Sequence, residues 1–291
     1  MSQDHIPKTI DLKKFIASKS PKLAKFMPNF VYNRLNKLLH VDQVNEFLYI
    51  NRDFHGVDFA TKVVENFNPE LTLVGAEHIT SDGRFLVAAN HPLGGLDGVA
   101  LISTVGKIRP DVLFPVNDIL TLLVNLQPVF VGINKYGANS SNTQSLTEAF
   151  AGERLILFFP AGLCSRRQKN GEISDLEWKS TVISQARKNQ RDIIPTFIEA
   201  QNSKRFYNWA YWRKKLGLKV NIEQLFLVDE MFNFEGKPIR IIFGKPIPYS
   251  TFDKRFNDRK WAARLKQHVY DLQSNPDKVF EWAPNKFCSA R

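Results

Sequence analysis

Cysteine is scarce in this chain: its 291 residues hold two, Cys164 and Cys288, far apart in sequence. So sparse a pair suggests neither a disulfide framework nor a zinc site; no metal is expected, and a reducing cytosolic setting is the default. Long hydrophobic runs are missing too, since nothing approaches the roughly 18 consecutive apolar residues of a spanning helix. The nearest candidate, Val112 to Ile133, is broken by Pro115, Asn117, Asp118, Asn125, Gln127 and Pro128, and reads as strand, short helix and strand. Charges interrupt Met1 to Lys19, so no secretory signal is expected. A membrane, if met, is met at its surface. No Gly-x-Ser-x-Gly elbow occurs, which argues against a serine hydrolase of that kind. Acidic residues are outnumbered, 29 against 40 Lys and Arg, for a net charge of +11. That excess favours an anionic partner: nucleic acid, a membrane surface, or a phosphorylated or acidic substrate.

What is present is an ordinary soluble balance, 43% hydrophobic and 24% charged, long enough to bury a substantial core. Residues 1–69 are basic, with Lys8, Lys13, Lys14, Lys19, Lys22 and Lys25 ahead of apolar positions at helical intervals between Pro28 and Tyr49. A further helix is expected over Val57 to Phe67, stopped by Asn68-Pro69. From residue 70 to 291 strands and helices alternate. Strands are expected at Leu71–Val74, Arg84–Ala89, Val112–Val116, Val129–Ile133, Leu155–Phe159, Ile193–Ile198 and Pro238–Ile247. Helices fall at Asp97–Val105, Ser145–Ala151 (Ser145 and Glu148 offering a capping box), Leu176–Lys188 and Arg255–Leu272. This pattern predicts an α/β fold, a mostly parallel sheet flanked by helices behind an N-terminal helical segment.

The most informative stretch is Asn90-His91-Pro92-Leu93-Gly94-Gly95-Leu96-Asp97. The apolar run Phe85 to Ala89 ends there, and two glycines turn the chain so that Asp97 can return to the imidazole. An aspartate on one ring nitrogen leaves the other free to take a proton from a substrate hydroxyl or amine. The competing reading is a capping or packing histidine. A second strand, Leu155 to Phe159, opens into Pro160-Ala161-Gly162-Leu163-Cys164-Ser165-Arg166-Arg167, where amides and guanidinium groups could meet phosphate or carboxylate. Cys164 beside Arg166 and Arg167 is a rival nucleophile, weighed against the inertness of most small buried cysteines.

At these residues the chain resembles the glycerolipid (lysophospholipid) acyltransferase family. The resemblance rests on Asn90-His91 with Asp97, on Phe159-Pro160-Ala161-Gly162 with Ser165 and Arg166, and on Ile194-Pro195, in order within about 85–200. It is strongest to a bacterial branch of hemolysin-like and aminolipid-forming O-acyltransferases. The resemblance implies phospholipid biosynthesis or related lipid metabolism, with transfer of a fatty acyl group from acyl-coenzyme A or acyl carrier protein to a lysolipid hydroxyl. It implies no cofactor beyond that donor. His91 would be the base and Asp97 its orienting partner; Asn90, Gly94, Gly95, Lys135, Gly162, Ser165, Arg166 and Arg167 would line the substrate site. Amides near Gly94-Gly95 or Gly162 are candidates for the thioester oxyanion. There are departures. Five residues rather than the commoner four separate His91 from Asp97, Ala161 replaces the usual glutamate, and Lys135 stands where an arginine is usual. A lyso-aminolipid or other lysolipid fits these about as well as glycerol-3-phosphate or lysophosphatidic acid, and an amine acceptor stays open.

Lys204 to Lys219 contains six basic residues, five aromatics and no acid. Helical spacing groups Phe206, Trp209, Tyr211 or Trp212, and Leu216, as in an interfacial helix, with Lys204, Arg205, Trp209, Trp212 and Arg213 as the membrane contacts. The alternative is a core-facing aromatic stripe with a solvated basic face. The expected location is peripheral, on the cytoplasmic face of the inner membrane. A non-enzymatic basic and aromatic module that binds a membrane surface or nucleic acid is the alternative from another class. It leaves the His91 and Phe159-Pro160 turns unexplained, so no nucleic acid is expected.

Overall fold

A computed structural model describes residues 9–117, 120, 123–132, 146–215 and 226–281. Five helices come first: α1 (Leu12–Lys19), α2 (Pro21–Phe26), α3 (Asn29–Leu38), α4 (Val41–Ile50) and α5 (Gly56–Phe67). The apolar periodicity between Pro28 and Tyr49 is thus divided between two helices. The break is His40, left-handed at φ 47°, whose ring is held by Gln43 and Asp229 and stacks 4.1 Å from Phe232. Histidine tolerates this conformation better than most residues, and local bonding offsets the cost.

The alternation that follows is β1 (Glu70–Val74), β2 (Phe85–Ala89), α6 (Leu96–Ile108), β3 (Val112–Val116), β4 (Phe130–Gly132), α7 (Leu146–Ala151) and β5 (Leu155–Phe158). Then come a two-residue hairpin of β6 (Arg166–Arg167) and β7 (Ile173–Ser174), α8 (Thr181–Lys188), β8 (Asp192–Glu199), α9 (Lys204–Lys215), α10 (Phe226–Phe232), β9 (Pro238–Phe243) and α11 (Asp258–Asp271). Seven strands form one sheet in the order β1-β9-β8-β2-β5-β3-β4. Every pairing in it is parallel except β8 with β9. The fold is the mostly parallel α/β sheet that strand–helix alternation predicts.

The central strands are buried on both faces, which is why they read as unbroken apolar runs. Val87, Ala89, Leu155, Leu157, Ile194 and Ile198 pack with α5 and α6 on one side. Their alternates Leu86, Ala88, Ile156, Phe158, Ile193 and Phe197 pack with α8 and α11 on the other. Two boundaries differ from expectation by four residues or more. The expected helix at Leu176 begins only at Thr181, because the Trp178 indole is drawn to Asp175 and the Lys179 amide to the Pro160 carbonyl. The last strand stops at Phe243, where the Gly244 amide bonds Pro195, and Ile247 makes one antiparallel bridge to Ile193. The capping serine Ser145 lies outside the described residues.

Candidate active site

Parallel strands put their carboxyl ends, and the loops that leave them, on one edge of the sheet. β2 lies between β5 and β8, so the segments after these three strands converge there. His91 leaves β2, the Phe159-Pro160 turn leaves β5, and Ala200–Asn202 leaves β8.

His91 and Asp97 meet. The Nδ1 atom of His91 lies 2.8 Å from Asp97 Oδ2, and because a carboxylate only accepts, that nitrogen carries the hydrogen. No described residue bonds the other nitrogen, Nε2, which in the neutral ring carries the lone pair. The imidazole stacks 4.0 Å from the Phe159 ring and keeps 16% of its surface exposed, so it is braced without being sealed. Asp97 is wholly buried in the first turn of α6. Besides the imidazole it accepts from the amides of Leu93 (2.8 Å), Gly94 (3.4 Å), Gly95 (3.1 Å) and Gly98 (2.9 Å). Burial pushes its carboxyl up, but the charge and hydrogen bond of His91 and the Leu93 and Gly98 amides outweigh it. The group ends below the usual carboxylate range.

Gly94 has φ +79°, and a Cβ there would fall 2.8 Å from a Leu227 methyl carbon. The left-handed backbone and the close approach of α10 both call for glycine. Gly95 is extended, and its amide also serves Asp97. The Gly162 amide bonds the Phe159 carbonyl at 3.0 Å. These amides thus make hydrogen bonds within the loops.

Other expected site residues also make hydrogen bonds within the fold. Asn90 is buried, its amide nitrogen donating to Ile198 O (2.9 Å) and its oxygen accepting from Ile198 N (2.6 Å), which ties β2 to β8. Ser165 is buried and donates to Asp175 (2.7 Å). Arg166 turns inward: its guanidinium donates to Cys164 O (2.8 Å), Cys164 Sγ (2.7 Å) and Ser165 O (3.2 Å), and lies 5.0 Å over the Phe206 ring. Arg167 is exposed on β6. Burial pushes the Cys164 thiol up to about 11, so it stays protonated at neutral pH and is a poor nucleophile. Lys135 lies outside the described residues.

On α9, Phe206 and Tyr207 are buried, whereas Trp209 (54%), Tyr211 (49%) and Trp212 (53%) are exposed. The expected grouping of Phe206 with the tryptophans is thus replaced by two faces, one docked and one outward. Leu216 lies outside the described residues. Lys204 is exposed, Arg213 is half-buried, and Arg205 is ion-paired with Asp229. None of the described helices is long and apolar enough to cross a membrane.

Sequence reasoning missed Asn202, which donates to the carbonyls of Pro92 (3.3 Å) and Leu93 (3.2 Å), and Asp175, which accepts from the His91 amide (3.2 Å). Neither carries a spacing signal, because each meets the loop only through the sheet. Beside the loop lies a cavity of about 400 Å³ lined by Asn90, Pro92, Ser165, Ile198, Phe234 and Tyr270 among others.

The acyltransferase family model matches residues 14–277. The lyso-glycine lipid O-acyltransferase of Bacteroides thetaiotaomicron is 42% identical over 265 residues, covering 90% of this chain and 97% of that protein. Its namesake from Phocaeicola vulgatus is also 42% identical, over 90% of this chain and 95% of its own length. Among solved structures, the 1-acyl-sn-glycerophosphate acyltransferase PlsC of Thermotoga maritima is 15% identical, covering 94% of this chain and 95% of that one, with a TM-score of 0.48.

Proposed function

Because the chain belongs to the acyltransferase family, we propose that it carries a fatty acyl group from a thioester of coenzyme A or acyl carrier protein to a lysolipid hydroxyl. One observation carries the mechanism. A histidine at a strand end donates its Nδ1 hydrogen to a buried carboxylate and keeps Nε2 unbonded among the described residues. In this reading Nε2 takes the hydroxyl proton as the oxygen attacks the thioester carbonyl, and Asp97 stabilises the imidazolium. Collapse of the tetrahedral intermediate breaks the carbon–sulfur bond, and the imidazolium returns the proton to the departing sulfur. General-base help of this kind is worth about 10²–10⁴-fold.

A lyso-glycine lipid is the first acceptor to try, since the two relatives with that name align along nine-tenths of the chain. Arg167, exposed on β6, is the remaining arginine candidate for an anionic part of donor or acceptor. Attachment at the cytoplasmic face of the inner membrane is supported by the outward Trp209, Tyr211 and Trp212 and by the net charge of +11. The non-enzymatic alternative does not suit a member of this family.

The test incubates purified protein with labelled acyl-coenzyme A or acyl carrier protein and a panel of lysolipids, resolving products by mass. His91→Ala is expected to abolish transfer while circular dichroism shows the fold retained; turnover by that variant overturns the assignment.

A further inference from the structure

Asp175 lies 84 positions from His91 in sequence, yet the two meet at the carboxyl edge of the sheet. Its carboxylate is 1% exposed. Oδ1 accepts from the His91 backbone amide (3.2 Å) and the Ser165 hydroxyl (2.7 Å), and Oδ2 accepts from the Trp178 indole (2.8 Å). In return the Ser165 amide donates to the His91 carbonyl at 2.7 Å. The peptide that bears the imidazole is thus gripped at both its polar groups by the segment following β5.

Asp175 is itself tied down: its amide donates to the Tyr270 hydroxyl (2.7 Å), and its carbonyl accepts from Lys266 Nζ (2.6 Å). Both partners stand on α11, so the loop is referred back to a long packed helix. Among the described residues its carboxylate bonds neutral donors alone, an expensive arrangement for a buried charge. Burial pushes the carboxyl above the usual range, against the Ser165, Trp178 and His91 hydrogen bonds. A carboxylate suits the place because each of three donors needs an acceptor and an amide side chain would turn a donor on one of them.

We propose that Asp175 is a positioning residue for acyl transfer, acting through the His91 peptide to hold Nε2 where the acceptor hydroxyl arrives. This rests on His91 being the base. Asp97 fixes the ring relative to its own loop and Phe159 braces its face from the neighbouring turn; Asp175 fixes the loop itself relative to that turn. Displacement of a reacting group by about 1 Å can cost on the order of 10²-fold in rate, so the loss belongs in kcat rather than in substrate affinity.

The deciding variants are Asp175→Asn alone and together with Trp178→Phe. In the single variant the new NH2 opposes either the indole or the His91 amide. In the double variant the indole donor is gone, and the amide oxygen can serve His91 and Ser165 again. Expected for Asp175→Asn is a kcat at least about tenfold lower, a KM for lysolipid within about twofold of wild type, and faster deuterium exchange at the His91 amide. The double variant is expected to regain most of both. Unchanged kcat in folded protein, a loss carried by KM, or unchanged exchange overturns the proposal. Should Asp175→Asn fail to fold, Trp178→Phe alone is expected to lower kcat about two- to fivefold, and an unchanged value has the same force. If wild type acylates no lysolipid, the acyl-transfer reading fails, and exchange by itself still decides whether Asp175 holds the His91 peptide.

Discussion

At the scale of single residues, Asp97 does two jobs with one carboxylate. It accepts from His91 Nδ1 and also satisfies the amides of Leu93, Gly94, Gly95 and Gly98, so the turn and the placing of the imidazole are one construction. Asp97→Asn keeps the size but puts a donor among donors and removes the charge facing an imidazolium. We expect kcat to fall by about 10²–10⁴-fold, with a lower melting temperature; steady-state kinetics and thermal unfolding check both. His268, 4% exposed on α11, is a buried base of another kind. Its Nε2 finds no hydrogen-bond partner among the described residues. Burial, helped by Lys278, lowers its pKa to about 4. The unfolded chain therefore takes up the proton first as pH falls, and stability present above the unfolded value near 6.5 is lost between there and about 4. The loss is on the order of 3 kcal/mol. Melting curves of His268→Phe should be flatter than wild type across that interval; parallel curves would assign the acid sensitivity elsewhere.

At the scale of elements, helix contacts set the platform on which the site stands. α5 crosses α6 at Gly106, where a Cβ would fall 2.5 Å from both Val57 methyl carbons. Valine is stiff at χ1 and cannot swing away, so overpacking of about 1–3 kcal/mol exceeds the roughly 1 kcal/mol of helix propensity that alanine supplies. Gly106→Ala is expected to lower the melting temperature, and Val57→Ala in the same chain to restore part of it. The helix α10 and the segment between β8 and α9 form a second platform at the His91 turn, Leu227 lying against Gly94 and Asn202 donating to the Pro92 and Leu93 carbonyls. Periodicity identified α5 and α11 to within a few residues, since each has one apolar face, whereas α6 is buried nearly all round and was placed by its apolar content. It missed the break at His40 and the late start of α8, because both are set by bonds to residues distant in sequence.

At the scale of the whole molecule, charge and exposed aromatics bear on what the protein meets. A net charge of +11 attracts an anionic bilayer at a distance, and each Lys or Arg near its surface contributes about 1 kcal/mol. Trp212 and Tyr211 are exposed together on α9, their rings 5.8 Å apart. Tyr211→Ser with Trp212→Ser is expected to weaken co-sedimentation with anionic vesicles severalfold, and wild-type binding to fall as salt rises. Undiminished sedimentation of the double variant, or equal binding to neutral vesicles, would count against this face.

Sequence alone determined the class of the fold and the pairing of His91 with Asp97. The inner strands read as apolar runs because both their faces are buried, and His91 lies only six residues before Asp97, in the turn-rich segment that leads into α6, so their meeting is local. Tertiary structure decided the surroundings. Asn90, Ser165 and Arg166 became internal ties, Cys164 was raised out of reactivity, and Asp175 and Asn202 entered the site, because each depends on contacts between segments that only the sheet brings together. Spacing along a chain can encode a turn; it cannot encode which strand will lie beside it.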